Sequence, residues 1–334
     1  MESIKGIESF NDTLIKELPL NTEKLSLLNN QISSFKGCEN LPKNLEDLHI
    51  GFNQISSFEG CEKLPKSLKI LILNGNQISS FKGCENLPRN LKELDLLYNQ
   101  INSFKGCEKL PKTLEMISLG DNQISSFKGC ENLPRNLKIL HLWCNQFSSF
   151  KGCEILPKNL EKLHLGFNQI SSFKVCENLP RNLEKLILEF NQISSFKGCE
   201  NLPKNLKELN LWYNQINSFE HSEFLPRNLE ILILRSNQIS SFKGCENLPR
   251  NLKNLYIEWN QSWSKEQLLL RYIKFEFGTL LEYIKFLQRH QDFVPVLNEI
   301  HGNPRLERMK TELKEEERKL KEDPETFYNL INQN

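Results

Sequence analysis

Asparagine recurs at a fixed interval of 23 residues, at Asn30, Asn53, Asn76, Asn99, Asn122, Asn145, Asn168, Asn191, Asn214, Asn237 and Asn260. Around each stands the frame read in Leu45-x-x-Leu48-x-Ile50-x-x-Asn53-x-Ile55. A period of this length and regularity constrains the fold more tightly than any local propensity, because one short supersecondary unit is being stacked on copies of itself. Each unit touches only its neighbours, so the core grows along one axis and the 334 residues need not divide into two or three globular domains.

Eleven units open on Leu-Pro, from Leu18-Pro19 through Leu41-Pro42 to Leu248-Pro249. The Leu-x-x-Leu-x-Leu stretch that follows alternates apolar and variable residues, the period-2 signature of a half-buried strand. The Asn that follows ends the strand, where its amide can bond backbone groups that the ladder no longer satisfies; stacking predicts a continuous asparagine ladder. Beyond it come Ile55-Ser56-Ser57-Phe58 and Gly60-Cys61. The recurring Phe, from Phe35 to Phe242, predicts an aromatic spine on the outer side of the core. Glycine before Cys suits a positive φ, a requirement that reads as soft because Val175 and His221 replace it. The Leu-Pro corner leaves room for a 3₁₀ turn and not for a full helix.

Lys plus Arg (43) balances Asp plus Glu (42), so no global field draws the chain to nucleic acid or anionic lipid. The start, MESIKGIESF, lacks the apolar stretch of a secretory signal, and no apolar run approaches the ~20 residues of a spanning helix. Nine of the ten cysteines, Cys38 to Cys245, share one repeat position, with Ser222 in the remaining place. A column of this kind reads as small buried side chains, reduced, in an intracellular and cytoplasmic setting. Alanine is absent and Lys outnumbers Arg, which reflects an AT-rich source and carries no function.

The frame Leu-x-x-Leu-x-Leu-x-x-Asn-x-Ile, repeated in register over residues 18–262, is identified as that of the leucine-rich repeat superfamily. Its continuation, Ile-x-x-Phe-x-x-Cys-x-x-Leu, resembles the subclass typified by protein-phosphatase-1 regulators. The Leu-Pro-x-x-Leu start is similar to repeats of bacterial effectors and to the Phe-Asn-Ile-Pro type of amoebae and their giant viruses. With the missing alanine and the Asn/Lys/Ile bias, the chain most resembles leucine-rich repeat proteins of giant DNA viruses of amoebae. The resemblance implies an α/β horseshoe solenoid: a parallel sheet on the concave face, 3₁₀ or short turns on the convex face, and caps at both ends. Function does not transfer with the fold.

The ends depart from the frame. Residues 1–17 keep Ile7-x-x-Phe10 and then lose register, as an N-terminal cap would; residues 18–262 hold eleven repeats. Apolar positions at helical spacing within 265–287 mark 263–303 as a helical C-terminal cap, and 304–334 as a charged helical tail.

Comparing the units with one another, the outer segment Ser-Ser-Phe-Lys-Gly-Cys-Glu-Asn-Leu-Pro hardly changes, whereas the outward strand positions change in every unit. The variable columns supply the candidate partner-binding residues: His49, Asp95, His141, His164 and Tyr256 between the inward leucines; Trp143, Trp212 and Arg235 two residues on; Phe52, Tyr98, Phe167, Phe190, Tyr213 and Trp259 just before the Asn. Exposed aromatics anchor protein interfaces. A second reading of the pre-Asn column, in which its rings lean over the strand ends and cover the core edge, stays open.

His141, His164 and Cys144 could approach one another as zinc ligands, but no fourth ligand is evident in the adjoining columns, and no metal or cofactor is expected. A Cys144–His nucleophile lacks an oxyanion hole and an orienting group. The last 72 or so residues contain no cysteine, which excludes the thioester ligase of some bacterial effectors there, and no phosphate loop or His-Glu-x-x-His motif occurs. The reading is a non-enzymatic intracellular scaffold that binds a protein, not nucleic acid or membrane, through its concave face. The alternatives are a structural component whose regular outer surface matters, and a substrate adaptor for ubiquitination.

Overall fold

A computed structural model of the chain describes residues 1–240, 244–257 and 260. The expected C-terminal cap and tail, together with Phe242 and Trp259, lie outside the described residues. Twelve parallel strands form one sheet in strict chain order. β1 is Glu2–Ser3 and β2 is Lys24–Ser26; ten more three-residue strands follow, from β3 (Asp47–His49) to β12 (Asn254–Tyr256). Register advances by 23 at every step, so Leu48 pairs with Leu71 and His141 with His164. Ten three-residue 3₁₀ turns, Cys38–Asn40 to Cys245–Asn247, form the opposite side. No helix among the described residues is long and apolar enough to cross a membrane.

Strands and turns enclose one continuous core. Leu45, Leu48, Ile50, Ile55, Phe58 and Cys61 are all inaccessible to solvent, and their equivalents repeat this unit after unit. Where Phe147 replaces the usual Ile, its ring packs 4.6 Å from Phe127. Three side-chain ladders run along this core. In the first, the Asn145 Oδ1 accepts from Ile124 N–H (2.8 Å), and its Nδ2 donates to the carbonyls of Leu119 (2.9 Å), Leu142 (3.2 Å) and Trp143 (3.1 Å). One amide thus ties its own strand end to the preceding unit, as the repeat led us to expect.

The second ladder runs through the cysteines. Cys61 Sγ donates to Gly83 O at 3.6 Å and Cys107 Sγ to Gly129 O at 3.3 Å. Ser222, the one substitution in this column, keeps the donor and bonds Gly244 O at 3.4 Å. The column therefore bridges units as well as filling space. The third ladder lies before each strand: Asn136 Nδ2 donates to Lys112 O (3.1 Å) and Thr113 Oγ1 to Arg89 O (2.7 Å).

Two sequence expectations need correction. Eleven strands were expected, and the N-terminal segment supplies a twelfth, β1. It is a shortened turn: Ile4 takes the place of Leu27 and Ile7 that of Ile32, so Lys5-Gly6 replaces a four-residue link. Phe10 then stacks on Phe35 at 6.4 Å and α1 (Thr13–Lys16) follows, capped by Asp12. Nor is the glycine column soft in conformation. Gly37 has φ +89°, and Val175 and His221 hold φ +69° and +68° in its place. The turn imposes the left-handed conformation on whichever residue stands there, and packing offsets the strain at non-glycine positions.

Candidate functional site on the concave face

Side chains that alternate away from the core line the outer face of the sheet. The column just before the Asn has a property that the repeat pattern did not disclose: among the described residues its φ is positive from Asn29 to Ser236, between +49° at Asp121 and +65° at Gly75. Its backbone N–H still joins the ladder, as in Phe167 N–H to Glu189 O at 2.8 Å. Non-glycine residues in this conformation cost on the order of 1–3 kcal/mol each, so they persist only because the adjacent Asn amide and the ladder over-determine the turn. Phe52, Tyr98, Phe167 and Tyr213, held in this way, are 44–55% exposed. Exposure at that level favours a solvent-facing column over one that closes the core edge.

Two aromatic groups form along this face. In the first, Trp143 meets Tyr98 edge-on at 5.9 Å, reaching across the intervening unit over Gly120. A Cβ at Gly120 would lie 2.6 Å from the indole Nε1 and 2.9 Å from Leu97 Cδ1, so glycine leaves the space that the indole fills. Trp143 also lies 6.4 Å from the His164 ring, which meets His141 edge-on at 5.7 Å. In the second group, Phe167, Phe190 and Tyr213 stack in sequence at 4.2 and 4.4 Å, with Trp212 edge-on to Phe190 at 4.9 Å. The indole N–H of Trp212 donates to Ser236 Oγ at 3.3 Å.

A polar chain links the two groups. His164 Nε2 lies 2.9 Å from Glu189 Oε1, and the other Glu189 oxygen accepts from Asn210 Nδ2. Gly166 opens the path, because a Cβ there would crowd both His164 and Glu189. His141 places Nδ1 3.4 Å from Ser118 Oγ, while its buried Nε2 has no hydrogen-bond partner. Burial, with smaller contributions from Lys162 and His164, pushes its pKa down to about 4, so the ring is neutral at physiological pH.

The remaining candidates stand apart from this patch. His49 pairs with Asp47 on its own strand at 3.0 Å. Phe52 covers Gly75, where a Cβ would meet its ring at 2.7 Å. Asp95 accepts from Leu97 N–H at 2.9 Å, and burial raises its pKa; nearby Glu93 is raised by burial and then by Asp95 and Asp47. Farther along, the Arg235 guanidinium sits 4.7 Å above the Tyr256 ring. Among the described residues no three His, Cys, Asp or Glu side chains converge on a metal position. Glu189, Asn210 and Gly120 were missed as site residues. Reading columns at offset 23 overlooks diagonal neighbours, and His164–Glu189 and Glu189–Asn210 are offset by 25 and 21.

A family profile described as leucine-rich repeats in two copies matches residues 181–224. The chain is similar to a solved leucine-rich repeat protein of Leptospira interrogans: 30% identity, TM-score 0.60, over 78% of this chain and 67% of that one. It is also similar to the structure of an octameric complex of latrophilin 3, Unc5D and FLRT2, whose FLRT2 part is a leucine-rich repeat: 28% identity, TM-score 0.54, over 66% of this chain and 70% of that one. A TLR13–single-stranded RNA complex shares the fold at 24% identity and TM-score 0.59, over 78% of this chain and 44% of that one. No curated protein matches the sequence significantly. With its strand order, its repeat frame and this likeness together, the chain belongs to the leucine-rich repeat family.

Proposed function

We propose that the chain is a non-enzymatic scaffold that binds a protein partner through the outer face of its sheet, centred on Tyr98, Trp143, Phe167, Phe190, Trp212 and Tyr213. The observation that carries this reading is the pair of aromatic groups joined by the His164–Glu189–Asn210 chain. They gather on outward strand columns that change in every unit, while the outer segment Ser-Ser-Phe-Lys-Gly-Cys-Glu-Asn-Leu-Pro hardly changes. Rigid, half-exposed rings flanked by polar groups match the anchor-and-rim composition of protein interfaces. The FLRT2 structure, similar to this chain, belongs to a multi-protein assembly and supports the same class of partner. The even charge balance argues against nucleic acid as the ligand.

On the resemblance to giant-virus repeat proteins, the partner is a host protein met in the cytoplasm, where the thiol column remains reduced. The boundaries at 17, 262 and 303 stand as the proposed division into cap, repeats, C-terminal cap and tail. Affinity capture from the source cell with wild type and a Trp143→Ala/Trp212→Ala variant tests the reading. Proteins retained by wild type and lost with the variant support it. An identical retained set removes the concave face as the site and favours the structural alternative.

A further inference from the structure

Two rows of the outer surface carry charge of a single sign, beside a third, at Lys36 and its equivalents, that is basic except at Glu59 and Glu220. The residue after each Leu-Pro is basic in ten consecutive units, from Lys43 and Lys66 to Arg227 and Arg250. The second residue of each 3₁₀ turn is Glu in the same ten units, from Glu39 to Glu246. Every one of these side chains is exposed. None of the ten basic groups enters an ion pair among the described residues; of the acidic groups Glu39 pairs with Lys63 at 3.6 Å and Glu85 with Lys109 at 3.4 Å, and Glu246 is engaged as well, accepting from Gly244 N–H at 3.1 Å. The next column, at Glu46 and its equivalents, mixes both signs and does pair from unit to unit: Lys69–Glu46 at 2.7 Å, Lys207–Glu184 at 2.8 Å, and Glu115 between Lys92 and Lys138 at 2.8 and 2.9 Å. A column of constant sign has no such option.

The stripes are held in place. The carbonyl of each of several basic residues accepts from the next unit's pre-strand side chain, as Arg135 O does from Asn159 (3.0 Å) and Arg181 O from Asn205 (3.0 Å). A Leu-Pro pair separates the two stripes within each unit, buried except that Pro111 and Pro249 are only partly so. Four residues of extended chain put the rows at most about 13 Å apart, and nine steps of roughly 4.8 Å make each row about 43 Å long.

A partner of one sign is attracted by one stripe and repelled by the other. The complement must carry two opposite rows at the same pitch and separation, and a second copy of this chain carries both. The orientation is set by the charges. A two-fold axis parallel to the stripes lays basic on acidic, whereas one across them lays like on like. We infer that this outer face is a self-association surface on which two chains lie parallel, same-numbered units adjacent, with Glu131 of one facing Arg135 of the other. The contact is isologous. It leaves the concave aromatic face free, so it stands or falls independently of the proposal above.

Sedimentation analysis of the full chain tests this. Wild type forms dimers at low ionic strength, and the apparent dissociation constant rises roughly tenfold or more at molar salt, where the Debye length falls to about 3 Å. Two exposed-site variants are then compared: Glu108→Lys/Glu131→Lys/Glu154→Lys/Glu177→Lys, and Lys112→Glu/Arg135→Glu/Lys158→Glu/Arg181→Glu. Circular dichroism confirms that each is folded. Each alone is monomeric, because like stripes now face each other, and an equimolar mixture restores a 1:1 complex. A wild type that stays monomeric at low salt overturns the inference, as does a dimer that survives either reversal. Binding of a polyanion such as heparin to the wild-type basic stripe without self-association also overturns it.

Discussion

The indole of Trp143 fills the space that a side chain at Gly120 would take, and from there it meets Tyr98 edge-on at 5.9 Å. Gly120 has no positive φ, so the backbone tolerates alanine, and the side chains that must give way are the Trp143 indole and the tip of Leu97. Gly120→Ala should therefore leave the thermal midpoint almost unchanged, because strain at the ring is offset by the ~0.4–1 kcal/mol gained from a less flexible unfolded chain. It should also separate Trp143 from Tyr98. A shift in tryptophan emission, absent when Trp143 is already Phe, is the expected signal. Emission identical to wild type would show that the indole does not depend on that space.

Asn145 ties two units together through four hydrogen bonds to backbone groups. Asn145→Ala leaves buried partners unsatisfied and should cost roughly 1–3 kcal/mol. Ile187, on the opposite face of its strand and half-buried, should cost far less as Ile187→Ser. Urea midpoints measure both; equal shifts would contradict the assignment of the two faces.

The asparagine ladder, the 3₁₀ turns and the buried Phe column were legible in the sequence, because a fixed period forces equivalent residues into equivalent places. The positive φ before the Asn, from Asn29 to Ser236, was not legible, since Phe, Tyr, Cys and Asp all occur there and none advertises a left-handed backbone. Of the site, the aromatic columns could be read, but their grouping could not. Trp143 reaches Tyr98 across a whole unit only because Gly120 lies between them, and His164 turns diagonally to Glu189 through the gap at Gly166. Such contacts depend on side-chain size in the neighbouring row, which a column-by-column reading does not include.

His141 should make stability depend on pH. Its folded pKa of about 4 lies below the ~6.5 of a free imidazole. Between those values the unfolded chain binds more protons, so stability is fully present above about 6.5 and is lost as pH falls toward about 4. Asp95 and Glu93, with raised pKa, act in the opposite sense as they protonate. Comparison with His141→Gln isolates the imidazole: wild type should lose more of its thermal midpoint than the variant over this window. Parallel curves for the two proteins would show that the ring titrates normally.

Burial raises the pKa of the core thiols, to about 12 at Cys61, Cys107 and Cys176. Cys144 is raised too, by burial and then by Asp121, but it is the one cysteine that is partly exposed. A thiol reagent at mildly alkaline pH should label Cys144 first in the folded protein and all ten cysteines after denaturation. Labelling of the column at a rate similar to that of Cys144 would contradict the packing described for the 3₁₀ turns.

The account rests most on the concave face as the recognition surface, and the affinity of a captured partner for single variants measures it most directly. Phe190→Ala removes the central ring of the Phe167–Phe190–Tyr213 stack, and Phe224→Ala removes an exposed ring on a 3₁₀ turn, away from the sheet. Calorimetric titration should show Phe190→Ala weakening binding by about 2 kcal/mol or more, the scale of an interface hot spot, and Phe224→Ala leaving it unchanged. Weakened binding in Phe224→Ala with Phe190→Ala at wild-type affinity would contradict the account.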